Sequence, residues 1–233
     1  MKLELKELRV DPVKFRMILQ IGIPASMQSS MFSISNLLIQ SSLNSFGAIA
    51  VAGNSVAASV EGFIYVSMNA FYQATISFTG QNMGAGRYDR INRIMYTALG
   101  CSIGVSVLMG NMMLLFGEEL LGLYTTSAEV VEAGMNRCRV MMTTYFLGGM
   151  QEVVVGSLRG MGYSIMPMIV SAVGGCGLRV VYLLTLFQWE PLHNLTSLYL
   201  TYPISWGIIF VAQVCCFVHV RRKMNEKLRL RSV

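Results

Sequence analysis

The sequence predicts an all-α membrane protein, a six-transmembrane-helix bundle with both ends in the cytoplasm. Three observations carry this. Charge is scarce: 13% of the 233 residues are charged and 54% hydrophobic, with a mean hydropathy of +0.54, whereas a soluble domain has about 25% charged residues. The charges are also segregated. No Asp, Glu, Lys or Arg occurs in Met17–Val60, Gly62–Gly86, Ile94–Gly117 or Pro191–Val220, and a membrane span needs only about 20 mostly apolar residues. Finally, Lys and Arg gather between alternate apolar runs.

The elements follow in order. Residues 1–16 form a charged, amphipathic segment on the cytoplasmic side, without the short apolar core and small-residue cleavage site of a signal peptide. Asp11-Pro12 reads as a helix start, Asp as N-cap and Pro at the first helical position. Spans are expected at about 17–44, 48–80, 94–116, 136–158, 164–187 and 197–220. The first ends near Asn44-Ser45-Phe46-Gly47 and the second at Gly84-Ala85-Gly86. Several exceed the bilayer's need and imply tilt or extension into water. Between the third and fourth spans, Ser127 followed by Glu129 and Glu132 predicts a capped amphipathic helix along the outer surface. Residues 17–220 thus form one transmembrane lobe and 221–233 a basic cytoplasmic tail, with no linker dividing them.

The charges set the orientation. Lys2, Lys6, Arg9, Lys14 and Arg16 precede the first span. Arg87, Arg90 and Arg93 follow the second, Arg159 the fourth, and Arg221, Arg222, Lys223, Lys227, Arg229 and Arg231 the sixth. The opposite loops hold Glu118, Glu119, Glu129, Glu132 and Glu190, with Arg137 and Arg139 at the start of the fourth span. Both termini are therefore expected inside the cell, at its inner (cytoplasmic) membrane. The net charge of +6 flanks apolar runs without forming a basic face, so membrane lipid is the expected partner and nucleic acid is not. The five cysteines show no CxxC spacing, which reads as buried free thiols and not as a zinc site or disulfide framework.

Polar residues inside the spans fall on faces. In the first span Ser26, Ser29, Ser33, Asn36, Gln40 and Asn44 recur every three or four residues, one helix face about 27 Å long. Lipid cannot satisfy them, so the face looks inward, either as interhelical glue or onto a water-filled cavity. The second span carries Asn54, Glu61, Tyr65, Asn69, Tyr72, Thr75 and Thr79. Glu61 sits near mid-bilayer, where an ionisable group is a site candidate. The alternative is a structural partner for Arg179, the basic residue well inside the fifth span. In the fourth span Tyr145, Glu152 and Arg159 share a face, with Glu152 and Arg159 about 10 Å apart, too far for an ion pair. Glu152 is a second cavity candidate, and Arg179 is expected to pack on a carboxylate from another helix. The 18 Met residues read either as an adaptable ligand surface or as ordinary helix packing. No HExxH, GxSxG or GxxxxGK[ST] motif is present, so neither an enzyme nor a cofactor is indicated.

Several stretches resemble the C-terminal lobe of MATE (multidrug and toxic compound extrusion) family transporters. They are Ile21-Gly22-Ile23-Pro24-Ala25, Gly80-Gln81-Asn82-Met83-Gly84-Ala85-Gly86-Arg87, Gly156-Ser157-Leu158-Arg159-Gly160-Met161-Gly162, then Pro167-Met168 and Arg179. The resemblance implies one lobe of a two-lobed secondary transporter, exchanging Na+ or H+ for amphipathic, often cationic, small molecules by alternating access. Members have twelve helices, so the missing N-terminal six-helix lobe or a second copy is an expected partner. Met1 falls where the linker between lobes would lie, which suggests a split gene, a truncation or a cut chain. Sodium-coupled members place a Glu in the first helix of this lobe and an Asp in the fourth. Here the first span has no acid and the Asp position falls on Gly148, so no cation site carries over. The alternatives are a lipid-linked saccharide flippase of the same superfamily and a non-transporting membrane protein.

Overall fold

The structure, a computed structural model, describes residues 11–231, with the side chains at 227–229 and 231 also outside the description. The cations expected at Lys2, Lys6 and Arg9 lie outside the described residues, as do the side chains of Lys227, Arg229 and Arg231. Among the described residues the chain is helical with no strand. Helix α1 spans Pro12–Asn44, α2 Ala48–Gly84, α3 Ile91–Leu115, α4 Gly117–Gly122, α5 Ala128–Met142, α6 Tyr145–Gly160, α7 Ile165–Ser171, α8 Leu178–Leu184 and α9 Leu195–Arg231.

Local chemistry sets the ends. Asp11 accepts from the Val13 and Lys14 amides, an N-cap ahead of Pro12. The two glycine motifs close α2 and α6 in the same way. Gly86 and Gly162 take φ of +70° and +89°, and the next amide reaches back five residues, Arg87 to Asn82 O at 2.8 Å and Tyr163 to Leu158 O at 3.0 Å. This is the Schellman end, in which glycine takes the left-handed conformation at no Cβ penalty.

The longer described helices group into six segments: α1, α2, α3, α5–α6, α7–α8 and α9. At one end Arg16 and Leu19 of α1 face Gly162, Tyr163 and Ser164 before α7, and Ile165 at its start, across a shared groove. At that end, too, Arg221 Nε donates to Asn92 Oδ1 at 2.9 Å. At the other end His193 stacks between Phe46 and Phe187, with ring centroids 5.3 and 4.6 Å away. Among the described residues, four helical stretches are long and apolar enough to cross a membrane: Ala48–Gly84, Tyr88–Leu115, Ile165–Gln188 and Leu195–Glu226. The other two segments are α1, whose Ser, Asn and Gln stripe lowers its hydropathy, and the α5–α6 pair, which the break at Thr143-Thr144 divides into helices of 15 and 16 residues.

The fourth pass departs from expectation. Instead of a surface helix followed by a span at 136–158, α5 enters the bundle directly and α6 continues it after a break at Thr143-Thr144. Ser127 makes no side-chain cap bond. Gly134 packs on α2, where a Cβ would stand 3.1 Å from Gly53 O, and Met135, Cys138, Met141 and Met142 are buried behind it. That buried face drew the segment inward. At the break, both threonine hydroxyls bond back to carbonyls of the preceding turn at 2.9–3.2 Å, competing with the helix ladder. The fifth pass is also interrupted. The glycine-rich stretch Ala172–Gly177 is a π-helical turn between α7 and α8, and Ser35 of α1 donates to Gly175 O at 3.1 Å within it. Such turns widen a helix and rephase its faces.

Large apolar side chains point outward: Leu37, Val66, Leu115 and Leu184 are 69, 68, 75 and 72% exposed. In water this would be untenable; against acyl chains it is expected. The five cysteines are free, but only Cys138 is buried, while Cys101 and Cys215 face outward. The uniform burial expected of them is therefore corrected, because a thiol sits on a lipid-facing surface as readily as in a core. Methionines fill the interior between α2, α3 and α5, and none lines the polar cavity described next.

Candidate functional site

The polar stripes of α1 and α2 face each other across an open cavity of about 840 Å³. From α1 come Ser26, Ser29, Ser33 and Asn36; from α2, Tyr65, Asn69 and Tyr72; from α6, Gln151, Glu152 and Arg159; from α8, Arg179; and from α9, Tyr202 and Trp206. The stripe on α1 follows its 3.6-residue period, so one rotation of the helix delivers all four groups to one side. The cavity is open at its mouth, where Ser33 and Asn36 are exposed and Tyr65 is 55% exposed.

Of the eight residues proposed for a substrate or cation pathway, six line this cavity: Ser33, Asn36, Tyr65, Asn69, Tyr72 and Glu152. Gln40 and Glu61 do not. Gln40 belongs to a polar cluster nearer the Phe46–His193 end. It donates to Asn44 Oδ1 at 3.2 Å and accepts from Asn54 Nδ2 at 3.4 Å. Asn54 in turn accepts from Arg137 Nη1 at 2.7 Å.

Glu61 has a partner, and it is not Arg179. Arg137 of α5 grips both carboxylate oxygens, Nε to Oε1 and Nη2 to Oε2, each at 2.7 Å. The guanidinium also lies 5.5 Å from the Tyr199 ring centroid and 5.6 Å from that of Tyr202. A buried bidentate pair of this kind fixes one helix on another. Arg179, expected to meet a carboxylate, instead directs Nε and Nη2 to Ser205 Oγ at 3.0 and 2.9 Å and stacks 4.3 Å from the Tyr202 ring centroid. The π-helical turn just before it rotates its side chain toward α9.

The sequence puts Arg159 among the loop cations, and the structure does not. It is the penultimate residue of α6 and turns inward, 6% exposed. It donates from Nη1 to the Tyr72 hydroxyl and from Nη2 to Gln28 Oε1 at 2.9 Å, so it ties α6 to α2 and α1. Its neighbour Gly160 makes this approach possible, since a Cβ there would stand 2.6 Å from Thr79 Cβ and 2.9 Å from Ile76 O. As expected, Glu152 makes no ion pair with Arg159; the ion pair among the described residues is Arg137–Glu61. Glu152 carries the one carboxylate lining the cavity.

The remaining motif residues are structural in position. Pro24 is buried within α1 beside Gly162 and Tyr163, Gln81 Nε2 donates to Ser77 Oγ at 3.3 Å, and Gly84 is the last residue of α2. Gly148, where the family's Asp would fall, packs against Trp206. Sequence reasoning missed Gln28, Gln151, Tyr202 and Trp206. Tyr199, Tyr202 and Trp206 recur at helical spacing in the sixth span, and that was the available signal. No group of three or more His, Cys, Asp or Glu that could hold a metal ion occurs among the described residues.

Comparison with known proteins agrees with this architecture. The family model described as MatE matches residues 24–185. The chain is 21% identical over 201 residues to the probable multidrug resistance protein YoeA of Bacillus subtilis, covering 86% of this chain and 43% of that protein. It is 27% identical over 177 residues to the multidrug resistance protein PmpM of Pseudomonas aeruginosa, covering 74% and 36%. Its fold matches a crystal structure of a MATE protein in complex with MaL6 at a TM-score of 0.85, with 15% identity over 96% of this chain and 50% of that one. The chain thus spans about half the length of the relatives it matches or less.

Proposed function

Because the chain belongs to the MatE family of multidrug efflux transporters, we propose that it is one lobe of a secondary exporter, moving amphipathic organic compounds by alternating access in exchange for Na+ or H+. The observation that carries this is the cavity itself. Two polar helix faces and two arginines surround some 840 Å³ of open space inside a bundle whose outer surface is apolar. Polar faces serving only as interhelical glue would be packed against each other, whereas Ser33, Asn36 and Tyr65 are exposed here. Buried polar groups in a membrane mark solute and ion pathways. Glu152 is the carboxylate placed to exchange a cation or a proton, while Glu61 is engaged by Arg137 and acts as a clamp.

The cavity is unclosed on the side of Asn36 and Tyr65, so a second lobe completes it, either a complementary six-helix lobe or a second copy of this chain. The relatives above are named as multidrug resistance proteins, which favours drug-like cargo over a lipid-linked sugar. The basic end, with Arg16, Arg90 and Arg221, faces the cytoplasm in this reading, and the membrane is the inner one.

The test is dye accumulation in bacteria stripped of their own exporters, with dyes of both charges. The chain is expressed alone and beside the N-terminal lobe of a relative. Lowered accumulation that an ionophore abolishes is the expected result. Unchanged accumulation of every dye in both settings rejects the exporter reading and leaves the non-transporting alternative.

A further inference from the structure

The charge balance of the cavity points to its cargo. Two guanidinium groups line it, Arg159 and Arg179, against the single carboxylate of Glu152. Both arginines are deeply buried, at 6 and 3% exposure. Neither has a carboxylate within ion-pair distance, since the ion pair among the described residues lies elsewhere, at Arg137–Glu61. Each guanidinium carries five N–H donors. Arg159 uses two of its nitrogens on neutral oxygens, those of Tyr72 and Gln28, and its Nε is buried without a partner. Arg179 spends two nitrogens on one hydroxyl, that of Ser205.

Arg159 thus keeps one unpaired nitrogen, and Arg179, held by one hydroxyl and the Tyr202 ring, has no counter-charge; buried cations without a counter-charge are costly unless something completes them. The group that fits planar, multiply donating guanidinium is an oxyanion. Around them Phe32, Tyr65, Tyr202 and Trp206 offer aromatic surface on the same cavity. A solute with a charged head and an apolar body would meet both kinds of wall.

We propose that this cavity binds the anionic head of an amphipathic organic solute, a carboxylate or phosphate, at Arg159 and Arg179, with its apolar body against Tyr65 and Trp206. The inference rests on the exporter reading and names its substrate class. Glu152, when it is ionised, opposes the bound anion and so sets how readily it leaves. An anion leaving a negative cell interior moves with the membrane potential, which adds to the drive supplied by exchange of a cation or proton at Glu152.

The experiment is calorimetric titration of the purified full chain in neutral detergent. The probes share one ring system: 2-naphthoate, 2-naphthyl phosphate, and a naphthylmethyl-trimethylammonium cation. The anions are expected to bind at least about tenfold more tightly than the cation, the scale of one charge-assisted bond. Arg159→Gln and Arg179→Gln each weaken the anions by about tenfold or more and spare the cation. Glu152→Gln strengthens anion binding, a gain that misfolding cannot produce. Competition with short-chain phosphatidylglycerol separates two sources of the same chemistry. Displacement of the naphthyl anions assigns the site to lipid headgroups as well, and no displacement restricts it to soluble solutes. Tighter binding of the cation, or anion affinities indifferent to all three substitutions, overturns the inference and leaves the exporter reading standing. Binding of none of the probes overturns both.

Discussion

Arg137 holds Glu61 through two parallel hydrogen bonds of 2.7 Å, joining α5 to α2 across 76 residues of sequence. A carboxylate so engaged has little freedom to trade cations. The pair separates two roles that intramembrane acids can play: Glu61 holds the scaffold, and Glu152 faces the space where solute would move.

The clamp predicts a stability effect. Glu61→Gln leaves the Arg137 guanidinium buried without its counter-charge, which costs about 3–5 kcal/mol. The double variant Glu61→Leu/Arg137→Met removes both charges and recovers most of that loss. Thermal unfolding of purified protein in detergent reads both. An unshifted midpoint for Glu61→Gln would show that the pair contributes nothing.

The cavity predicts a pattern of accessibility. In a background whose five cysteines are replaced, Cys at Ser33, Asn36 or Tyr65 reacts with small water-soluble thiol reagents, because these positions line the open cavity. Cys at Leu37 or Val66 is expected not to, since those apolar residues lie on the outer surface, which the exporter reading places against lipid. Equal protection at all five positions would mean that the stripes are dry packing surfaces. The native thiols must be removed first because Cys101 and Cys215 are exposed.

Glu152 predicts a functional split. Glu152→Gln keeps the shape of the side chain and loses the charge, so dye efflux falls by about tenfold or more at unchanged protein level in the membrane, the size expected when a proton-transferring group is removed. Melting is little affected, since no ion pair is broken. Full efflux by Glu152→Gln would remove it from the coupling mechanism.

Topology is checked by impermeant labelling of single cysteines. Positions 90 and 223 are expected on the cytoplasmic face, and 119 and 190 on the outer face. Arg221 already touches Asn92, so labelling of 90 and 223 from opposite faces would contradict the packing of α9 beside the start of α3.

Composition and periodicity alone determined a good deal. Charge-free runs made this a membrane protein, because buried charge is too costly in lipid to be scattered along spans. The 3.6-residue spacing of Ser26, Ser29, Ser33 and Asn36 put them on one helix face, and Asp11-Pro12 marked where that helix begins. What periodicity could not supply is the rotation of one helix against another, and with it the identity of partners. Arg179 was the natural candidate to meet Glu61 because it lay deep in a span, while Arg137 looked like a cation at the start of one. Tertiary packing reversed this. Gly134 lets α5 press against α2 at Gly53 and brings Arg137 onto Glu61, while the π-helical turn at Ala172–Gly177 swings Arg179 to Ser205. Arg159 was likewise misplaced, because nothing local distinguishes a loop cation from one whose last helical turn aims it inward. Each of these outcomes depends on close contact between segments far apart in the chain, a relation that no single helix's sequence encodes.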